Sequence, residues 1–223
     1  MHRGHASGER GTRTTTASAM KITRIERFGV DELFAALRRV SLHGRPLSLP
    51  YARADLTLLE AFPPDELVPA QLYVQRRELA KIARLAEALS EHDVDLFALR
   101  GYVRFWLVGG PDEGVDILPP VVECSREQAG PCIKLVNDGM HRVYSARAAG
   151  RRITVAYAAG VPDDTPYYAY PNPRGWEGVE EIDEITEGFA KKNYRLEPHR
   201  SLYRDFNTAF RNATGFRPRT VEA

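Results

Sequence analysis

The stretch Asn137-Asp138-Gly139-Met140-His141-Arg142 follows a short apolar run, Ile133-Lys134-Leu135-Val136, and opens a helix-like run that ends at Gly150. It reads as strand, tight turn, helix. Asp-Gly is suited to the turn. The glycine lets the backbone come close to a ligand and can take positive φ. The amides of Met140, His141 and Arg142 are donors that the start of a helix leaves without intrahelical partners. Together with the positive end of the helix dipole they make a corner suited to phosphate or another anion. Arg142 offers a bidentate fork to phosphate oxygens, and His141 is a further donor that titrates near neutral pH. Asp138 is placed to hold the turn or to help seat a divalent cation beside phosphates. Arg147, further along the same helix, is a candidate for an outer phosphate. The bland alternative is a common Asp-Gly turn in which Asp138 merely caps the helix.

Outward from this corner, Val121 to Cys124 reads as a strand entered through Pro119 and Pro120, where missing donors matter least. Ser125 to Pro131 is a hairpin loop and Ile133 to Val136 the return strand. After Gly150, a natural C-terminal cap, the alternation Ile153-Thr154-Val155-Ala156-Tyr157 closes the unit as another strand.

Upstream, Ile22 to Phe28 suits a short strand. Val30 to Val40 is a helix with Leu33, Phe34, Leu37 and Val40 on one face, and Leu56 to Leu59 is a strand ended by Phe62-Pro63-Pro64. Gln71 to Ser90 is the longest periodic helix, and its basic side is a solvated face. Leu96 to Val108 suits one or two strands. Downstream, Pro162 to Trp176 lacks periodicity, and its tyrosines read as a rigid loop over the core. Val179 to Phe189 and Pro198 to Phe210 are spaced for two further helices. On or before the second of these, Arg195, His199, Arg200 and Arg204 read as solvated charges.

Composition bounds the function. With 223 residues, 43% hydrophobic and 27% charged, the chain can bury one sizeable core. A formal net charge of +1 gives no global field toward nucleic acid or an anionic membrane. No apolar run approaches the ~20 residues that span a bilayer, and the N-terminus lacks the apolar centre of a signal peptide. Cys124 and Cys132 lie in the hairpin. A disulfide between them stays open, but reduced thiols in a cytoplasmic protein are the simpler reading. Residues 1–19 are Arg-, Gly-, Ser- and Thr-rich and are expected to be disordered. A single domain is expected over 20–210, with its core at about 56–157 and a flexible tail over 211–223. His43 and His92 have no metal-ligating companions at usable spacing.

The order of Pro-Val-Val-Glu, a return strand, Asp-Gly-Met-His-Arg, a helix ending in Gly150 and a final strand resembles the ParB/sulfiredoxin superfamily. The resemblance covers roughly Leu56 to Tyr157. It implies an α+β fold: a small mixed sheet with flanking helices, here with an N-terminal helix and a partly helical C-terminal extension. It also implies that Gly139, His141 and Arg142 contact nucleotide phosphates. Sulfiredoxins place a reactive cysteine where this chain has Met140, which argues against that activity. The nearest motif is the Asp-Gly-His-His-Arg of free serine kinases in the same superfamily. Those enzymes use a glutamate shortly after the first core strand as base, and Glu60 and Glu66 lie in that region. Chromosome-partitioning members bind CTP and carry a helix-turn-helix that the residues after Tyr157 do not show, so DNA partitioning is not expected.

The expectation is therefore a nucleotide-binding protein, with ATP or ADP ahead of CTP, and Mg²⁺ beside Asp138. It includes a phosphotransferase on a small hydroxyl compound, with Glu60 or Glu66 as base and His141 in the site. A non-catalytic nucleotide-responsive regulator and a nuclease-like activity are the alternatives.

Overall fold

Ile153–Ala159 is apolar along almost its whole length and buried on both sides, as a strand covered on both faces must be. In the computed structural model, which describes residues 20–127, 130–195 and 199–213, it lies inside a five-stranded mixed sheet. In chain order the strands are β1 (Ile22–Phe28), β2 (Ser41–Leu42), β3 (Asp55–Phe62), β4 (Val68–Pro69), β5 (Tyr73–Gln75), β6 (Tyr102–Leu107), β7 (Val115–Ile117), β8 (Val121–Arg126), β9 (Cys132–Val136), β10 (Ile153–Ala159), β11 (Glu180–Ile182) and β12 (Arg204–Asp205). The helices are α1 (Val30–Leu37), α2 (Arg76–Ser90) and α3 (Met140–Ala148). The main sheet has the order β3-β10-β8-β9-β4. β10 runs antiparallel to β3 and parallel to β8; β9 runs antiparallel to β8 and parallel to β4.

Alternation along the strands divides the core in two. Ala156 and Ala158 of β10 and Val121 of β8 face Leu33, Ala36 and Leu37 of α1, joined by Phe206 and Phe210 from the C-terminal segment. Ile153, Val155 and Val122 face the other way, onto Met140, Val143 and Ala146 of α3. A second sheet, β1-β6-β7, packs on Leu85, Ala88 and Leu89 of α2. Helix α2 thereby bridges the two sheets: Leu79, Ile82 and Ala86 also touch the α3 layer. This is the α+β arrangement the sequence implies.

Four local expectations are corrected. The long helix starts at Arg76, not Gln71, because Tyr73, Val74 and Gln75 are buried and pair in parallel with β11. That pairing also replaces the helix expected over 179–189. The helix expected from Pro198 to Phe210 is broken into the short 3₁₀ turns His199–Leu202 and Phe206–Thr208 flanking β12, which pairs with β2. Cys124 and Cys132 form a disulfide instead of two reduced thiols. The expected tail at 1–19 and most of that at 211–223 lie outside the described residues. Arg211 itself is packed: its amide donates to Asp116 Oδ2 at 2.8 Å and its carbonyl accepts from the Asp116 amide at 2.8 Å.

Candidate functional site at the start of α3

β9 delivers the chain to Asn137, and the turn is then folded back on the sheet. The amides of Asn137 and Asp138 both donate to the Val121 carbonyl, at 2.9 and 3.1 Å. Gly139 follows at φ +80°, in the left-handed region, as the N-cap of α3. Two constraints meet there. The backbone conformation disfavours any side chain. A Cβ would also lie 2.8 Å from Pro120 Cβ and 2.8 Å from Arg142 Nη2. No side chain caps α3. The Gly139 carbonyl accepts from the Arg142 and Val143 amides, so the Met140 and His141 amides are the first-turn donors lacking an intrahelical acceptor.

The side chains of the motif have different fates. Met140 is buried, 4% exposed, with Val74, Val122 and Val136 in the core, so only its amide can meet a ligand. Arg142 is also 4% exposed. Its Nη1 donates to the Leu118 carbonyl and its Nη2 to Asp138 Oδ2 at 3.2 Å. Burial pulls its pKa below the ordinary arginine value, against the opposing pull of Asp138. The fork is thus committed to holding the turn. His141 Nε2 accepts from the Gln75 amide at 3.3 Å, which leaves Nδ1 as the protonated nitrogen of the neutral ring. Burial, reinforced by Lys191, lowers its pKa from 6.5 to about 4, although Glu78 pulls the other way. His141 is therefore neutral at physiological pH.

The remaining candidates lie apart from the turn. Arg147 is exposed near the end of α3, where Nε meets Asp65 Oδ1 at 2.7 Å and the guanidinium stacks over Trp176 at 5.4 Å. Glu60, on β3, is paired with Arg100 Nη2 at 2.5 Å. Glu66 is exposed on the 3₁₀ turn Pro64–Glu66, which the Asp65–Arg147 pair tethers to α3. Among the described residues no three His, Cys, Asp or Glu side chains gather as a metal-ligand group.

A buried polar network behind the turn is what the sequence did not reveal. Glu123 of β8, 2% exposed, is held by both Nε and Nη2 of Arg204, at 2.8 and 3.0 Å. Glu123 Oε1 also accepts from the Tyr51 hydroxyl at 2.6 Å and from Asn137 Nδ2. Asn137 Nδ2 donates to the Tyr51 hydroxyl as well, at 2.7 Å, and the Asn137 carbonyl accepts from Tyr167 at 3.1 Å. Lys192 donates to the hydroxyls of Tyr167 and Tyr168. Arg204 is fully buried, not the solvated charge expected. Burial works against its charge, and Glu123 more than offsets that, so its pKa is raised. Burial, then Glu123, lifts the Tyr51 pKa well above the ordinary value. Tyr167 and Tyr168 are covered, as a rigid loop requires, while Tyr170 is exposed.

No curated protein and no solved structure matches the chain. The family model of the ParB CE domain matches residues 32–180, from the first turn of α1 to the start of β11. That span is two thirds of the 223 residues and includes β8, β9, the Asp138–Gly139 turn, α3 and β10. With more than half its length matched and the α+β arrangement in place, the chain belongs to the ParB CE domain family.

Proposed function

We propose that this protein binds a nucleotide, with the phosphates seated at the start of α3. One observation carries the reading: Gly139 caps the helix in a left-handed conformation with no capping side chain, so the Met140 and His141 amides have no intrahelical acceptor. The neutral His141 adds Nδ1–H as a donor that needs no further protonation. Arg142 acts mainly by fixing the turn, because its fork already serves Leu118 and Asp138. ATP or ADP leads over CTP on the motif resemblance alone. Mg²⁺, if recruited, would share Asp138 with phosphate oxygens. A cytoplasmic setting, rich in nucleotides, accords with this reading.

Phosphotransfer to a small hydroxyl compound is the finer form of the proposal. Glu66 leads over Glu60 as base, since the Glu60 carboxylate is already engaged by Arg100. The second reading is a regulator that binds nucleotide without chemistry, favoured by the burial of Arg142.

Thermal unfolding with ATP, ADP, CTP and GTP, with and without Mg²⁺, tests the proposal. A ligand at a hundredfold excess over its Kd stabilises by about 2.7 kcal/mol, or about 5–10 °C for a chain of this size. No shift with any of the four sinks the phosphate reading. If one binds, ³¹P product analysis separates transfer or hydrolysis from mere binding. Metal-dependent degradation of DNA or RNA would instead favour the nuclease-like alternative.

A further inference from the structure

We infer that the Cys124–Cys132 pair is a reversible redox modification site whose state sets the shape of a neighbouring cavity. The bond crosses the β8–β9 hairpin diagonally: Cys124 stands opposite Lys134, and Cys132 opposite Arg126. The hairpin does not depend on it. Five register pairs, from Val122–Val136 to Arg126–Cys132, hold the two strands together. Opening the bond therefore frees the outer end of the hairpin without dissolving it.

That end is accessible and coupled. Cys132 is exposed and Cys124 half-buried. Cys124 lines a cavity of about 380 Å³ at the C-terminal ends of β8 and β10, with Glu123, Ser125 and Arg126 beside it and Tyr167 and Arg195 across it. The two walls are joined by one polar chain. Ser125 Oγ donates to Glu127 Oε1 at 2.7 Å, Arg195 Nη2 donates to the same oxygen at 2.7 Å, and Arg195 Nε donates to the Tyr167 carbonyl at 2.5 Å. A shift of the backbone at Cys124 is passed through Ser125 to the opposite wall.

The reduced state also has a partner in place. The Tyr157 hydroxyl is 3.2 Å from Cys132 Sγ. Burial raises its pKa, against the pull of Arg126, so it stays protonated and can donate to the Cys132 sulfur once the bond is open.

A dithiol reductant opens the pair in two exchanges. Its first thiolate attacks Cys132 Sγ, the S–S bond breaks, and Cys124 leaves as a thiolate that takes up a proton. Its second thiolate then displaces Cys132 from the mixed disulfide, and Cys132 is protonated in turn. The reductant becomes a disulfide; the protein gains two electrons and two protons.

The test uses the full chain in dithiothreitol at graded ratios of reduced to oxidised form, quenched with iodoacetamide. Mass analysis should show no alkylation in the oxidised protein and two adducts appearing together on reduction. Hydrogen exchange should then rise both in 122–127 and in 160–167, with α2 unchanged. The double variant Cys124→Ser/Cys132→Ser should show the reduced pattern without reductant. Tyr157→Phe should raise the ratio needed for half reduction about fivefold, the loss of one hydrogen bond. Alkylation before reduction overturns the proposal, as does a rise confined to the hairpin with 160–167 unmoved. An unchanged midpoint in Tyr157→Phe overturns the role of its hydroxyl.

Discussion

Replacing Arg204 by Met should destabilise the protein more than any surface change of equal size. The guanidinium uses all five of its N–H donors. Two go to the Glu123 carboxylate at 2.8 and 3.0 Å; three go to the carbonyls of Leu202, Pro166 and Thr165 at 2.6, 2.8 and 2.6 Å. Methionine keeps most of the apolar stem, so packing changes little. What is lost is the counter-charge of a carboxylate only 2% exposed, together with three carbonyl partners. Breaking a buried pair from one side costs about 3–5 kcal/mol, which for a chain of this length lowers Tm by about 6–20 °C. Glu123→Gln should cost a similar amount, because Arg204 then carries the uncompensated charge. The double variant should fall short of the sum by about 1.5 kcal/mol or more, as expected for directly bonded partners. Urea unfolding followed by tryptophan fluorescence and circular dichroism measures all four corners of the cycle. A loss below ~1 kcal/mol in Arg204→Met, or additivity within about 0.5 kcal/mol, would show that the pair does not anchor the C-terminal segment.

Three further outcomes follow from the turn. Gly139→Ala should cost at least about 1–2 kcal/mol for the left-handed backbone alone, and more for the approach to Pro120 and Arg142; a thermal melt unchanged within error would mean the turn relaxes freely. Arg142→Met should cost about 3–5 kcal/mol by leaving Asp138 and the Leu118 carbonyl without their donor, and equilibrium unfolding should register this whether or not any nucleotide is present. His141 contributes a pH dependence. Its folded pKa of about 4 lies below the ordinary 6.5, so the unfolded chain binds the proton first. Stability should be intact above pH 6.5 and fall by about 3 kcal/mol as pH drops toward 4. His141→Gln should flatten that part of the pH–stability curve, and an unaltered slope would contradict the burial of the ring.

Much of the central unit was legible because its signals are local. Strand β9, the Asp138–Gly139 turn, α3 and β10 each carry a period or a punctuating glycine of their own, and the structure places their ends within a residue or two of the pattern. The outer elements were misread where distant partners decide. Tyr73-Val74-Gln75 precedes a strong helical period and looks continuous with it, but β11, more than a hundred residues on, captures it as a strand. Arg204 follows apolar Leu202 and Tyr203 at helical spacing, and nothing nearby signals that its guanidinium will be buried on Glu123, 81 positions away. At the site, sequence indicated which residues belong to the turn. It did not indicate that Arg142 turns inward, since a fork facing phosphate and a fork facing a carbonyl are spelled alike.

Asn137 gives the buried network a wider meaning. Its side chain is bonded to Glu123 and Tyr51, while its own amide begins the turn at Gly139. The recurring part of the chain, residues 32–180, thus leans on an arginine that lies outside it. The buried network reaches beyond the span that the family model matches. Cut at residue 180, this segment would keep the glutamate and lose its only arginine partner among the described residues. Its anchoring arginine lies two dozen residues past the end of the matched span.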